Sequence, residues 1–257
     1  MILDTIIETK KEEVARLKKQ TSISALEKTI AQIELCRNFR QALISEDCNI
    51  IAEVKCASPS HGRLVANFDP VRIAGVYEEN GAAAISVLTD EKYFAGHKNY
   101  LTQIRQKVNL PLLRKDFIID PLQIYESRAI GADAILLIVH VLGKKLSEFI
   151  LLSKELGLSS LVEVHTEKEL DLALDADAEI IGINNRNLDT FVTDIETNHR
   201  LRARIPEGFI VVAESGIMSR ADIDILMQAN IHAFLIGEAM ITAPDIGKKL
   251  RTFKGVK

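Results

Sequence analysis

Eight short, nearly continuous apolar runs punctuate this chain from residue 49 onward, and a longer helix-patterned segment separates each from the next. The runs are 49–55 (NIIAEVK), 83–88 (AAISVL), 110–115 (LPLLRK), 133–139 (DAILLIV), 159–164 (SSLVEV), 179–184 (EIIGIN), 208–214 (GFIVVAE) and 232–237 (HAFLIG). They start about 20 to 35 residues apart, the length of a strand, a loop and a helix. Apolar residues fill the runs instead of strictly alternating with polar ones, as in a parallel strand covered on both faces. Eight such units point to a closed (β/α)8 TIM barrel, a fold that commonly takes about 250 residues. The 257 residues are therefore read as a single barrel domain, with 1–48 as a helical N-terminal extension. The structural rival, a doubly wound open sheet, would usually carry a glycine-rich dinucleotide loop after its first strand, and none is present.

Local signals support the helices. Asp69-Pro70 and Asp120-Pro121 pair an N-cap with proline at the first helical position. Gly131 follows the second of these helices as a stop. Thr166 and Glu169 have capping-box spacing. Ser219 is placed to cap residues 220–229, and Pro244 sits near the start of the last helix. In the first twenty residues, Ile2, Leu3, Ile6, Ile7, Val14 and Leu17 are spaced as on an amphipathic helix packed against the body. Acids and lysines interrupt this stretch, so it reads as neither a secretory signal nor a transit peptide.

Composition narrows the partners. A net charge of -4, with 26% charged residues mixed in sign, argues against nucleic acid or an anionic membrane. No run of about 18 apolar residues suggests a membrane span. Cys36, Cys48 and Cys56 make no Cys-x-x-Cys pair and no cluster with metal-ligand spacing. They read as reduced thiols of a cytoplasmic protein. Cys56 next to Lys55 falls on the face away from it. No metal and no cofactor are expected, and the oligomeric state expected is a monomer or weak homo-oligomer.

In barrel enzymes the site gathers at the C-terminal ends of the strands. The first run ends Glu53-Val54-Lys55, two opposite charges on one face of a strand. Burying them is costly, which marks a site more than a scaffold. The third run ends in Lys115, the fifth holds Glu163 between apolar neighbours, and the sixth ends Asn184-Asn185-Arg186. The seventh ends Glu214-Ser215-Gly216 and the eighth Gly237-Glu238. Taken singly, each has a bland alternative as a solvated loop residue; residues 90–92 read equally as an exposed turn, and His140 as a helix-start histidine. Taken jointly in a closed barrel, Glu53, Lys55, Lys115, Glu163 and Asn184 converge on one mouth. Lysines and carboxylates in a partly dry pocket can be tuned into acids and bases near neutral pH. Ser58, Ser215-Gly216 and Gly237 offer hydroxyls and bare backbone N–H groups for a phosphate.

At these residues the chain resembles the indole-3-glycerol phosphate synthase family. The matching segments are IIAEVKCASPSHG, ISVLTDEKYFAG, PLLRKDFIIDPLQIYESRAIGADAILLI, LVEVHTEKEL, IIGINNRNL, VVAESGI and FLIGEAM, in the family's order across residues 50–240. The resemblance implies a decarboxylating and dehydrating ring closure of a phosphorylated small molecule, 1-(2-carboxyphenylamino)-1-deoxyribulose 5-phosphate. It implies Lys115 as general acid at the ketone, Glu163 as proton carrier in dehydration, Lys55 on the substrate carboxylate and Glu53 as its orienting or proton-exchanging partner. Asn184 and Ser215 would position hydroxyls. Ser58, Gly216, Gly237 and the Glu238 amide would hold phosphate, with Arg186 assisting. Phe94, Phe117 and Leu188 would wall the anthranilate ring. The chain departs from the family's common pattern at Cys56, His61 and Ala239. Because Glu238 is the wrong charge for a phosphate neighbour, its side chain is expected to point away. Two rivals stay open at this point: another phosphosugar barrel, such as phosphoribosylanthranilate isomerase, and a non-catalytic phosphate-binding barrel.

Overall fold

The structure, a computed structural model, describes residues 2–44, 48–186, 193–194 and 196–256. Two helices lead, α1 (Ile2–Gln20) and α2 (Ile23–Ile30), followed by eight barrel strands. These are β1 (Asn49–Val54), β2 (Ala84–Leu88), β3 (Leu112–Lys115), β4 (Ala134–Ile138), β5 (Ser159–Val164), β6 (Ile180–Asn184), β7 (Ile210–Glu214) and β8 (Ala233–Ile236). Each strand runs parallel to the next, and β1 pairs with β8, Ile51 opposite Leu235, as well as with β2, so the sheet closes as expected. Two strands, β3 and β7, begin two residues later than their apolar runs for local reasons. Pro111 has no N–H to give a ladder, and Gly208 takes a left-handed backbone (φ +93°) that no strand residue adopts.

The principal helix after each strand is α3 (Pro70–Glu79), α4 (Lys98–Arg105), α5 (Pro121–Ala129), α6 (Leu146–Glu155), α7 (Glu167–Asp175), α8 (Glu196–Arg202), α9 (Arg220–Gln228) and α10 (Ile246–Lys254). The caps are those the sequence signals: the Asp69, Asp120 and Ser219 side chains accept backbone N–H bonds, and Asp120 and Ser219 complete capping boxes with Gln123 and Asp222. Thr166 makes only half of the expected box. Its hydroxyl accepts the Glu169 N–H, but the Glu169 carboxylate accepts from the His165 N–H at 2.7 Å instead of turning to Thr166.

Strand alternation divides the core into two layers. Ile50, Ala52 and Val54 face outward and pack with Ile73, Ala74 and Tyr77 of α3. Ile51, Leu113, Leu161, Val212 and Leu235 face inward and join Phe39 and Leu43 of the extension, which are 0% and 2% exposed. Asn49, at the start of β1, donates its side-chain amide to Leu43 O, so Phe39 and Leu43 plug the N-terminal end of the barrel. Meanwhile α1, 19 residues and so about 28 Å long, reaches the opposite end, where Ile2, Leu3 and Ile6 line a cavity.

The buried face of α1 is Leu3, Ile6, Lys10 and Val14. Lys10 was not among its expected packing positions. A buried lysine needs counter-charges, and Lys10 Nζ lies 2.8 Å from each of Asp90, Asp116 and Glu13. Asp90, readable from sequence as part of an exposed turn, is fully buried; it caps the short helix Glu91–Phe94 and receives Lys10.

Candidate active site

On five of the strands the inward-facing parity carries apolar residues first and polar ones last, whereas β4 is apolar throughout. Ile51 is followed inward by Glu53 and Lys55, Leu113 by Lys115, Leu161 by Glu163, Ile180 by Gly182 and Asn184, and Val212 by Glu214. The apolar members fill the barrel, and the polar members open onto a cavity of ≈ 570 Å³ at the C-terminal end. That volume suits a ligand of a few hundred daltons. Of the residues expected to form the site, Glu53, Lys55, Phe94, Lys115, Phe117, Glu163, Asn184, Arg186, Ser215, Gly216, Gly237 and Glu238 all line it. Leu188 lies outside the described residues. Ser58 is buried but turns its hydroxyl to its own loop, where it accepts the His61 N–H at 3.2 Å, and its neighbour Pro59 reaches the cavity instead.

Two charge groups face each other across this space. Lys55 Nζ is 2.7 Å from Glu53 Oε1. Lys115 Nζ is 3.0 Å from Glu214 Oε2 and 3.5 Å from Glu163 Oε2. All three carboxylates are 3% exposed or less. Burial pulls the Lys115 ammonium down, but Glu214, Glu163 and Glu53 together outweigh it and hold it above the ordinary lysine range. Lys115 therefore stays protonated at neutral pH. Burial would raise Glu53, and Lys55 and Lys115 overcome it, so Glu53 is held below its ordinary value and is ionised. Glu214 is different: burial, with the repulsion of Glu163 and Glu53, outweighs the pull of Lys115 and pushes it up to about 7. One cavity thus holds a committed acid in Lys115, an anion in Glu53 and a carboxyl poised to change state in Glu214, a combination typical of proton-transfer sites.

Glycine makes room for this packing. A Cβ at Gly182 would strike the Glu214 carboxylate, and one at Gly237 the Glu53 carboxylate. Ser215 and Gly216 both take left-handed backbones (φ +65° and +77°), which turns the chain back over the cavity after β7. The turn is held from below by Asn185, whose side-chain amide donates to Ser215 O at 2.9 Å. Asn184 Oδ1 accepts the Arg186 N–H at 3.0 Å. Phe94 and Phe117 stand with ring centroids 6.3 Å apart at the apolar wall. The Glu238 side chain does not turn away as expected: its carboxylate stays at the cavity rim, 3.7 Å from Arg186, which offsets its charge, and 3.6 Å from His61 Nδ1. Cys56 is buried and does not line the cavity.

Glu214 is the site residue that the sequence reading passed over, as the residue before Ser215-Gly216. Its signal was available: it shares parity with Ile210 and Val212, as Lys115 does with Leu113. Ile2, Leu3 and Ile6 were read only as a packing face, because nothing local tells which end of a barrel a helix reaches. Among the described residues no group of three or more His, Cys, Asp or Glu side chains is placed to hold a metal ion, and no helix is long and apolar enough to cross a membrane.

Comparison with known proteins agrees with this geometry. Residues 3–253 match the family described as indole-3-glycerol phosphate synthase. A protein of that name from Desulforamulus reducens is 47% identical over 254 residues, covering 98% of this chain and 96% of its own. Another from Chlorobium chlorochromatii is 50% identical over 248 residues, covering 95% and 96%. Among solved structures, the tryptophan synthase alpha-subunit of Pyrococcus furiosus, in mutant form, superposes with a TM-score of 0.61 at 14% identity, over 82% of this chain and 99% of its own. Thiamine phosphate pyrophosphorylase of the same organism gives 0.63 at 16% identity, over 85% and 96%. The last two share the fold alone.

Proposed function

The chain belongs to the indole-3-glycerol phosphate synthase family, and from that premise we propose how its cavity closes the indole ring. The substrate is 1-(2-carboxyphenylamino)-1-deoxyribulose 5-phosphate; the products are indole-3-glycerol phosphate, carbon dioxide and water. The observation that carries the assignment of roles is the single cavity shared by Lys115, Glu163, Glu214 and the Glu53–Lys55 pair.

Lys55 holds the substrate carboxylate, and Glu53, 2.7 Å away, fixes the lysine's direction. Lys115 gives a proton to the ketone oxygen as the ring carbon attacks it. The three carboxylates keep the ammonium charged, so its positive charge stabilises the developing alkoxide and its proton transfers once that oxygen has become the stronger base. Carbon dioxide then leaves beside the apolar wall of Phe94 and Phe117, where an ionised carboxylate is poorly solvated. Glu163 handles the proton of the departing hydroxyl in dehydration, with Glu214 sharing the Lys115 charge. Asn184 and Ser215 position substrate hydroxyls. Ser58 and the backbone N–H groups of Gly216, Gly237 and Glu238 take the phosphate, and Arg186 adds positive charge at the same rim. The protein works as one barrel domain in the cytoplasm, as a monomer or weak homo-oligomer, without nucleic acid or membrane.

The test is direct. Purified protein given the synthetic substrate is expected to produce the fluorescence of indole-3-glycerol phosphate with one carbon dioxide released per product. Substrate that persists unchanged with active-site concentrations of protein would overturn the assignment.

A further inference from the structure

The ring closure takes up one proton per turnover. The substrate carries a carboxylate and a phosphate; the product carries the phosphate only, and carbon dioxide and water leave uncharged. Protons can be exchanged among Lys115, Glu163 and Glu214, but over each turnover the net one is drawn from solvent.

Behind Glu163 stands a chain of titratable groups that the roles above do not use. His165 Nε2 is 3.4 Å from Glu163 Oε1. On its other side, His165 Nδ1 is 3.2 Å from Glu169 Oε2. Glu169 Oε1 is 3.3 Å from His140 Nδ1. The His165 and Glu169 side chains are each 11% exposed, whereas His140 is 50% exposed. The path leads from the cavity wall, through the layer between β5 and α7, to the short helix after β4 at the surface. Two details set it apart from ordinary packing. His165 Nε2 is buried with no aligned hydrogen bond, so it faces Glu163 uncommitted. Glu169 forgoes the capping box its spacing allows and instead binds both the backbone N–H and the ring of His165.

We propose that His140, Glu169 and His165 form a proton-loading path that resupplies Glu163 from solvent, an inference that rests on the ring-closure reading above. Glu163 gives its proton to the leaving hydroxyl. The His165 imidazolium then passes its Nε2 proton to Glu163 Oε1 and remains as a neutral ring with Nδ1–H on the ionised Glu169 carboxylate. A half-turn of the ring brings the bare Nε2 to Glu169, which takes a proton from the His140 imidazolium and hands it to Nε2; His140 is reprotonated by solvent and the His165 ring turns back. One proton passes from solvent to the departing water, and nothing is oxidised or reduced. His165 acts through Glu163 and is a positioning residue. The charges around it are Glu163 on β5, Glu169 on α7, Lys115 on β3, Glu214 on β7 and His140 after β4. Burial pulls its imidazolium down, and the Glu169 hydrogen bond with the nearby Glu163 and Glu214 charges raises it above the ordinary histidine value, which keeps the path loaded near neutrality.

The experiment is steady-state turnover of wild type, His165→Ala and Glu169→Gln across pH 6–9, with and without imidazole buffer as a diffusible proton donor. Wild-type turnover checks the underlying reaction, so its absence would fault that reading and not the path. The path predicts that both variants lose about tenfold in kcat with KM little changed, most severely at high pH, where proton supply is scarcest. Added imidazole should restore most of the rate in His165→Ala and leave wild type unaffected. Unchanged kcat in both variants would overturn the path. So would a loss in a folded variant that imidazole does not relieve, because that would assign His165 to holding the Glu163 carboxylate in place. If His165→Ala fails to fold, the pH profile of Glu169→Gln decides.

Discussion

Lys115 Nζ stands 3.0 Å from Glu214 Oε2, and the two partners differ sharply in how burial has tuned them. Lys115 sits among three carboxylates and keeps its proton, while Glu214 shares its surroundings with two other acids and titrates near 7. The rate profile should therefore carry an inflection close to pH 7 that belongs to Glu214. In Glu214→Gln that inflection is expected to disappear from the kcat/KM profile while substrate is still bound; an unchanged inflection would assign it to another group.

The room that glycine leaves at Gly237 makes a second prediction. A methyl group there meets the Glu53 carboxylate, which must then leave its place beside Lys55. Displacing a catalytic pair by an ångström costs about 100-fold, so Gly237→Ala should lower kcat/KM by that order without unfolding the protein. Kinetics combined with a thermal melt separates the two effects.

Ser58 bears on binding and not on chemistry. Its hydroxyl accepts the His61 N–H and lies 3.4 Å from the Ser60 hydroxyl, so its proton must turn from that loop to reach an anion. A hydrogen bond to a charged group contributes roughly 1.5–3 kcal/mol, so Ser58→Ala should raise KM about tenfold or more with kcat nearly unchanged. An unaltered KM would remove Ser58 from the phosphate site.

Lys10 ties α1 to the loops after β2 and β3 through Asp90 and Asp116. Lys10→Met removes the ion-pair partner of the fully buried Asp90 and one of the two held by Asp116, which keeps Arg114, and should cost about 3 kcal/mol in urea unfolding at neutral pH. The pH dependence has a definite sign. Burial would raise the Asp116 carboxyl, but Arg114 and Lys10 hold it down to about 2, below its ordinary 3.8. A depressed acid contributes stability that is complete above the ordinary value and fades as pH falls through the native one. The contribution of Asp116 to wild-type stability should thus be level from about pH 4 upward and fall between about 4 and 2, and the loss of the Lys10 charge should make that fall shallower in Lys10→Met.

The sequence and the structure agree most closely where one strand carries its own information. A covered strand such as β4 reads as a strand because both faces are apolar, and Glu53 and Lys55 read as a pair because they share parity. What stayed hidden depends on contacts between distant segments. The burial of Lys10 follows from Asp90 and Asp116, which no helical periodicity in α1 reveals. The carboxylate of Glu169 leaves its expected cap because His165 and His140 are brought beside it by the packing of β5, α7 and the turn after β4. Glu214 was legible in principle by the alternation that exposed Lys115, but the adjacent Ser215-Gly216 turn drew the reading to the phosphate end.

The most direct measurement is a single-turnover fluorescence trace with enzyme in excess over the carboxyphenylamino-deoxyribulose phosphate, comparing wild type with Lys115→Ala. The predicted result is prompt product formation in wild type and a rate about 1,000-fold slower in the variant, with the substrate bound nearly as tightly. Equal rates in the two proteins would contradict the placement of Lys115 at the centre of the reaction.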